Sequence, residues 1–207
     1  MIAALYVQTN GCYWNLDGVD PWDIHRDARQ YAGPHAVISH PPCARWGRYW
    51  FGGPSAKVRR LKGDDEGCFA AALAAVRTWG GVLEHPEASH AWAHHGLNAP
   101  PRDGGWITAD FHGGWTCCVE QGHYGHRARK ATWLYACGVE LPTLRWGKSD
   151  ASAKIDLSAR TTAERRRIVR TGICQQLSKR QRAATPIPFR DLLLSIARSA
   201  QRRSAAA

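Results

Sequence analysis

Reactive side chains stand at three points of the sequence, each beside a short apolar run. Cys43 follows two prolines, Glu84 follows a valine and a leucine, and three cations occur among residues 127–130. A cysteine thiolate is a nucleophile, a carboxyl group can exchange a proton with a substrate, and cations stabilise a thiolate or bind phosphate. These residue types suit covalent catalysis on a phosphate-bearing substrate, provided that the fold brings them together.

The element that positions Cys43 is predicted to be a strand. Residues 36–39 form a short apolar run rich in β-branched side chains, which is typical of a buried strand. Pro41 and Pro42 end that strand and stiffen the turn after it. A thiol on such a turn lies where an open α/β sheet places its chemistry, at the carboxyl end of a strand. The alternative is a capped strand with a half-buried cysteine.

A helix and a second strand are predicted between Cys43 and Glu84. Acidic residues 64–66 open the helix, apolar residues recur at helical spacing as far as Trp79, and a glycine pair ends it. A Val-Leu pair then begins the second strand. Such a strand–helix–strand unit is a right-handed parallel crossover, which places Cys43 and Glu84 at the same edge of the sheet.

The order of these units predicts an α/β fold. We expect a single domain with a mainly parallel sheet and flanking helices, in which residues 1–150 form the α/β body and residues 151–207 a basic helical segment that packs on it. No apolar run is long enough to span a bilayer and no signal peptide opens the chain, so no membrane contact is expected. Seven cysteines, an odd number, favour reduced thiols in a cytoplasm over a disulfide framework.

The net charge of +11 is concentrated in the last quarter of the chain. Residues 1–150 carry a net charge of +1, and residues 151–207 carry +10. A neutral body with a basic terminal segment is typical of a protein that binds a polyanion, most often nucleic acid. We therefore predict that a basic helix over residues 160–182 binds nucleic acid through Arg165, Arg166, Arg167 and Arg170. The alternative is a solvated basic helix.

Cations near the reactive positions have a second expected role. Arg45 lies two residues after Cys43, in the run Arg45-Trp46-Gly47, and Lys130 ends the cationic segment. Arginine beside a flat aromatic ring can stack on bases, although most of the ten tryptophans are expected to pack a core. Arg45 and Lys130 are predicted nucleic-acid contacts, and these cations are expected to lower the pKa of the Cys43 thiol.

Histidines and cysteines between residues 85 and 126 raise zinc as a rival hypothesis. No Cys-x-x-Cys pair is present, and the adjacent Cys117 and Cys118 suit one tetrahedral site poorly. We therefore expect no metal, and a zinc-stabilised interaction protein stays as an alternative.

In order and spacing, the motifs resemble those of the DNA cytosine carbon-5 methyltransferases. Pro41-Pro42-Cys43 matches the Pro-Pro-Cys that ends a strand in that family, and Val82-Leu83-Glu84-His85-Pro86 resembles its Glu-Asn-Val strand end. Tyr124-Gly125-His126-Arg127-Ala128-Arg129-Lys130 resembles its Gln/Arg-rich turn, and residues 183–188 are a weak echo of its Gly-Asn-Ala-Val-Pro segment. The resemblance spans roughly residues 36–200. The chain also resembles small bacteriophage proteins that share the His-Pro-Pro-Cys and Tyr-Gly-His runs.

The resemblance implies a reduced methyltransferase-like Rossmann fold and a transferase that modifies cytosine in DNA. The family's nucleophile, which adds to ring carbon 6 and makes carbon 5 reactive, falls on Cys43. The carboxyl group that hydrogen-bonds or protonates ring N3 falls on Glu84, and the arginine that holds ring O2 falls on Arg127 or Arg129. The implied methyl donor is S-adenosylmethionine, the implied partner is DNA, and the implied location is the cytoplasm, that of the host cell if a bacteriophage encodes the chain.

The sequence departs from the family pattern at the donor-binding loop and at the target-recognition region. Thr9-Asn10-Gly11-Cys12 has one glycine where the family has Phe-x-Gly-x-Gly, and the large insert expected after Gly138 is nearly absent. His85 and His126 stand where the family has Asn and Gln. A second hypothesis is therefore a nucleic-acid-binding module that keeps the fold and the basic segment without catalysis.

Overall fold

A seven-stranded sheet forms the centre of the structure, a computed structural model that describes residues 1–52, 57–58, 60–153, 161–171 and 177–200. The strands in chain order are β1 (Ile2–Leu5), β2 (Val19–Trp22), β3 (Ala36–Ser39), β4 (Gly81–Pro86), β5 (Ile107–Thr108), β6 (Gly114–Glu120) and β7 (Ala131–Cys137). The helices are α1 (Cys68–Trp79), α2 (His90–His94), α3 (Thr162–Thr171), α4 (Lys179–Ala183) and α5 (Ile187–Arg198), with 3₁₀ turns at Ala28–Gln30 and Gln121–Tyr124. Across the sheet the strands lie in the order β2-β1-β3-β4-β7-β6-β5.

Half of the sheet is parallel and half is antiparallel. β2, β1, β3 and β4 pair in parallel, whereas β4, β7, β6 and β5 form the antiparallel half. Only residues 121–130 connect β6 to β7. A crossover between parallel neighbours needs a longer connection, so β6 and β7 pair antiparallel. The predicted α/β class is confirmed. The expectation of a mainly parallel sheet is not confirmed, because three of the six neighbouring pairs are antiparallel.

Helix α1 connects β3 to β4 and covers one face of the sheet. Its buried residues include Phe69, Leu73 and Val76, which share a core cluster with Val37 of β3 and Leu83 of β4. The helix therefore buries one apolar stripe, which contains the predicted Val76 together with Phe69 and Leu73, which the prediction left out. Because β3 and β4 pair in parallel, the predicted strand–helix–strand unit is confirmed.

Acidic residues 64–66 precede α1 and do not form its first turn. Asp65 Oδ2 accepts hydrogen bonds from Phe69 N at 2.9 Å and from the indole Nε1 of Trp46 at 2.7 Å. One carboxylate therefore satisfies a free N–H group at the start of the helix and ties the helix to the segment that follows Cys43.

Helix α5 covers the opposite face of the sheet. Phe189, Leu193 and Ile196 are buried, and they share the second core cluster with Ile38 of β3 and Val82 of β4. Successive side chains of a strand point to opposite faces, so neighbouring residues of β3 and β4 enter different clusters. The last helix of the basic C-terminal segment is thus part of the core.

The basic stretch predicted as one helix over residues 160–182 contains two described helices, α3 and α4. Residues 172–176, between them, lie outside the residues that the structure describes. No helix in the described part of the chain is long and apolar enough to cross a membrane.

Leu193→Ala should destabilise the protein, because it leaves a cavity between α5 and the sheet. Leu193 is 0% exposed, and truncation of a buried leucine lowers the free energy of unfolding by about 2–5 kcal/mol. Urea titration followed by circular dichroism measures the change. Ile187→Ala is the control, because Ile187 lies on the same helix at 49% exposure and its truncation should cost less than about 1 kcal/mol. Equal effects of the two changes would mean that α5 does not bury this face.

Candidate active site

The turn after β3 presents Cys43 to solvent. His40 N donates to Leu5 O at 3.1 Å, and the two prolines that follow have no N–H with which to extend the ladder. Cys43 O then accepts hydrogen bonds from Trp46 N at 3.0 Å and Gly47 N at 3.1 Å, which fixes the chain beyond the turn. Cys43 is a free, exposed cysteine held between these two anchored segments.

Glu84 is held at both of its carboxylate oxygens. It lies one residue beyond the Ser39–Leu83 pair, next to the end of β3, and its side chain is 14% exposed. His40 Nδ1 donates to Oε2 at 3.0 Å, and Gln121 Nε2 donates to Oε1 at 3.1 Å. The carboxylate is therefore oriented by donors from two different parts of the sheet.

Tyr13 and Thr132 extend this hydrogen-bonded network at its two ends. The hydroxyl of Tyr13, a residue only 3% exposed, lies 2.9 Å from His40 Nε2. Gln121 Nε2 also donates to Thr132 Oγ1 at 3.0 Å, and Thr132 Oγ1 donates to Lys130 O at 3.0 Å. The network joins the segment after β1, the end of β3, strand β4 and the β6–β7 connection.

Lys130 is a cation that the fold brings to this site. It directly precedes β7, has a left-handed φ of 46°, and its Nζ donates to Ala184 O at 2.9 Å. Its charge acts on Glu84, Cys43 and Cys12. Lys130 therefore lies between the reactive side chains and the segment that leads into α5.

The electrostatic environment keeps Glu84 ionised. Burial by itself would raise the pKa of Glu84, but the hydrogen bond and charge of His40 together with Lys130 outweigh burial, and the pKa is lowered. Burial lowers the pKa of Lys130, and the Glu84 carboxylate opposes that effect. At neutral pH, Glu84 is therefore a hydrogen-bond acceptor beside Cys43.

The expectation that cations would lower the pKa of the Cys43 thiol is wrong. Although the residue is exposed, desolvation raises the pKa of its thiol, the Glu84 carboxylate raises it further, and Lys130 acts in the opposite direction. Arg45, which was expected to help, donates instead to Trp50 O at 3.4 Å. Desolvation and a neighbouring carboxylate together outweigh Lys130.

Arg127 and Arg129, predicted to hold the base, are not the main cations acting on Glu84. Arg129 Nε lies 4.0 Å from Glu120 Oε2, and Arg127 is exposed on the same connection. The groups that lower the pKa of Glu84 are His40, Lys130 and His85. The cationic segment thus contributes its last residue to the site.

The predicted nucleic-acid contacts of the C-terminal segment lie on α3. Arg166 and Arg170 are exposed on that helix. The side chains of Arg165 and Arg167 lie outside the described residues.

Sequence reasoning missed the roles of Tyr13, His40 and Gln121. His40 belongs to the His-Pro-Pro-Cys run and Gln121 opens the segment before β7, so both lie inside stretches that the sequence singled out. Their common partner, Glu84, is 44 residues from His40 and 37 from Gln121. No local pattern links residues so far apart, and Tyr13 carries no sequence signal of its own.

A cleft of about 570 Å³ opens at the carboxyl ends of β1, β2 and β3. In the strand order β2-β1-β3 the gap between β1 and β3 is a topological switch point, where open α/β sheets bind ligands. Five carboxylates and three arginines are among the lining residues, so the cleft is acidic on balance. The carboxylates are Asp23, Asp27, Asp64, Asp65 and Glu66.

One turn separates this cleft from the reactive side chains. Pro42, Ala44 and Arg45 line the cleft, whereas Cys43 between them interacts with Glu84. The hydroxyl of Tyr6, in the cleft wall, is buried and has no hydrogen-bond partner among the residues described. The cleft and the site of Cys43 and Glu84 therefore share the turn of residues 41–45.

No group of three or more His, Cys, Asp or Glu side chains that could hold a metal ion occurs in the described part of the chain. Cys117 and Cys118 are buried in β6, where burial raises the pKa of both thiols, that of Cys118 to about 11.

Comparison with known proteins gives no match for this chain among family models, curated proteins or solved structures. The geometry and the chemistry of the cleft and of the site around Cys43 and Glu84 are therefore the evidence for function.

Alkylation of Cys43 should respond in opposite directions to the loss of Lys130 and of Glu84. Lys130→Met removes a cation, which raises the pKa of the thiol and slows alkylation at neutral pH. Glu84→Gln removes an anion, which lowers that pKa and speeds alkylation. We expect several-fold changes in alkylation rate. At a fixed pH, a change of about one unit in the pKa of the thiol changes the thiolate fraction about tenfold. Iodoacetamide labelling over a range of pH values, followed by peptide mass spectrometry, measures both rates.

Arg129→Met is the matched control for this experiment, because Arg129 faces Glu120. Its alkylation curve should coincide with that of the unchanged protein. If Lys130→Met also leaves the curve in place, the Lys130 charge does not reach the thiol.

Proposed function

We propose that this protein is a nucleic-acid pyrimidine-modifying transferase similar to the DNA cytosine carbon-5 methyltransferases, with Cys43 as its nucleophile. The observation that carries the proposal is one turn that presents an exposed thiol within electrostatic reach of a hydrogen-bonded carboxylate and also borders a cleft. A group-transfer enzyme needs such an arrangement, because acceptor and donor must meet across a short distance in fixed orientation.

The chemistry begins at the Cys43 thiol. Its thiolate adds to carbon 6 of the ring, the electrons of the carbon 5–carbon 6 double bond shift, and carbon 5 becomes nucleophilic. An ionised carboxylate stabilises a ring that has taken up a solvent proton at N3, because N3–H and the 4-amino group both donate to it. Glu84 is placed for that role. The target base must leave the duplex to reach this turn.

Lys130 is the cation we assign to the base-binding site. The resemblance gave this role to Arg127 or Arg129, but the charge of Lys130 acts on both Cys43 and Glu84. An ammonium group there can donate a hydrogen bond to the ring oxygen at position 2. Arg127 and Arg129 remain exposed candidates for contacts with phosphates.

The cleft fits S-adenosylmethionine as the donor. Its volume of about 570 Å³ is within the range of small-molecule sites, and its excess of carboxylates suits a ligand that carries a sulfonium and an ammonium group. The unpartnered Tyr6 hydroxyl would hold it, because Asp23 and Asp27 already accept from Thr9, His25 and Arg29, and the ligand would supply an electrophilic methyl group. Four parallel strands with a cleft at their switch point support a reduced methyltransferase-like Rossmann fold.

The raised pKa of the Cys43 thiol favours a second candidate function. A thiol that is mostly protonated at neutral pH is a weak nucleophile, as expected of a nucleic-acid-binding module that has lost catalysis. The two candidates differ in whether Cys43 forms a covalent bond to the base.

An oligonucleotide that contains 5-fluorocytosine should form a covalent adduct with Cys43 when S-adenosylmethionine is supplied. The fluorine at carbon 5 cannot leave as the proton does, so the adduct is trapped. Denaturing electrophoresis and peptide mass spectrometry detect the adduct and its site. In parallel, nucleoside mass spectrometry of DNA from cells that express the protein should reveal 5-methylcytosine.

Cys43→Ser is the control variant, because it removes the nucleophile with little change in volume. It should abolish the adduct and leave oligonucleotide affinity within about threefold, since the change removes no phosphate contact. An intact protein that binds the oligonucleotide without adduct or modified nucleoside would support the binding module.

Replacing Arg166 and Arg170 on α3 by alanine should flatten the salt dependence of DNA binding. Each phosphate contact removed lowers the slope of log affinity against log salt by about one unit. Fluorescence anisotropy at several salt concentrations measures the slope. Arg102→Ala is the control, because Arg102 pairs with Glu87. An unchanged slope in the double variant would mean that these arginines are only solvated.

A further inference from the structure

The carboxylate of Glu84 is held by a chain of side chains that begins at a buried phenol. From Tyr13 the chain passes through both ring nitrogens of His40 to Glu84 Oε2, with separations of 2.9 and 3.0 Å. Gln121 holds the other oxygen at 3.1 Å. Each carboxylate oxygen thus receives one hydrogen bond from the protein and keeps further lone pairs for a ligand.

We propose that Tyr13 and His40 are positioning residues that fix Glu84 as a hydrogen-bond acceptor beside Cys43, so that the site selects an amino-substituted pyrimidine edge over an oxo-substituted one. This inference rests on the proposed function for its substrate class. Its physical basis, the state of Glu84, is a property of the protein alone.

Tyr13 sets the direction of the hydrogen bonds through His40. An ionised carboxylate only accepts, so His40 Nδ1 carries the proton that faces Glu84. When the ring is neutral, Nε2 has a lone pair, and the Tyr13 hydroxyl donates to it. Burial raises the pKa of Tyr13 well above its usual value, so its phenol stays protonated and keeps this role. Tyr13 therefore fixes the tautomer of His40, and the tautomer fixes the donor to Glu84.

His40 decides the ionisation of Glu84 because burial opposes it. Three groups lower the pKa of Glu84: His40 after the end of β3, Lys130 just before β7, and His85, which follows Glu84 in β4. Of these, His40 has the largest effect. Burial lowers the pKa of His85 to about 4, so that ring is neutral at physiological pH, which leaves His40 and Lys130 as the groups that favour the carboxylate. Without the donor of His40, desolvation raises the pKa of Glu84 against a weaker opposition, chiefly the charge of Lys130.

The two states of Glu84 recognise different bases. An ionised carboxylate accepts from the 4-amino group of cytosine and faces the 4-oxygen of uracil or thymine with like partial charge. A protonated carboxyl group carries one O–H donor and binds the 4-oxygen instead. When the wrong base leaves a buried polar group of the site without a hydrogen-bond partner, that base is rejected strongly. Loss of the His40 donor should therefore relax the preference for cytosine.

The test begins with the free protein and needs neither donor nor nucleic acid. Carboxyl ¹³C NMR follows the titration of Glu84 in the unchanged protein and in three variants: His40→Leu, His40→Asn and Tyr13→Phe. His40→Leu should raise the pKa of Glu84. His40→Asn should restore it, because the Asn amide can donate from the position of Nδ1, and Tyr13→Phe should give a smaller rise. His90→Leu, at an exposed position of α2, is the control and should change nothing.

The second readout is base preference, measured in a Cys43→Ser background so that no covalent step contributes. Equilibrium binding compares oligonucleotides with an unpaired cytosine or uracil as the target. His40→Leu should reduce the ratio of the two affinities by tenfold or more, a change that corresponds to about 1.4 kcal/mol, and His40→Asn should keep it within about threefold.

An unchanged Glu84 titration in folded His40→Leu overturns the inference, whatever the protein does to DNA. A shifted titration with an unchanged base preference overturns the selectivity step. Absence of a covalent adduct with the Cys43 thiol would count against the proposed function and leave the titration result standing, so the two failures are distinguishable.

Discussion

The hydrogen bond between His40 and Glu84 connects the ends of two parallel strands, and the candidate site depends on it. A carboxylate that is 14% exposed is costly to bury unless donors replace its water. In the register of β3 against β4, Ser39 lies opposite Leu83, so the residues that follow them, His40 and Glu84, are neighbours. His40 Nδ1 lies 3.0 Å from Glu84 Oε2. A slip of one residue would turn Glu84 to the opposite face of the sheet and leave its charge unpaired.

The C-terminal segment closes the site from the α5 side of the sheet. Arg190 at the start of α5 donates to Cys12 O at 2.9 Å, and Lys130 donates to Ala184 O at the same distance. The first bond joins α5 to the loop that contains Tyr13, and the second joins Lys130 to the segment that leads into α5. The packing of α5 therefore does more than fill the core, because it also holds the segment beside Lys130.

The prolines before Cys43 lie in the turn that contains the reactive thiol and also lines the cleft. Pro41 is buried and Pro42 lines the cleft, and the fixed φ of each proline makes this part of the turn rigid. The charge of Glu84 acts on the Cys43 thiol, while the neighbouring Ala44 lines the cleft. A flexible turn would not hold an acceptor and a donor in a fixed relation, which is the main advantage of such an arrangement.

The sequence by itself determined the unit from β3 through α1 to β4, because local periodicity marks each element and the parallel pairing of a strand–helix–strand unit places Cys43 and Glu84 at one edge. Only the tertiary structure decided the antiparallel half of the sheet, which depends on a connection too short for a crossover. It also decided which cation reaches the site, since Lys130 and Arg129 are neighbours in sequence and face different partners. The sign of the pKa shift at Cys43 was beyond sequence reasoning for the same reason. Desolvation and the distance to a carboxylate are properties of packing, and adjacency in the chain does not report them.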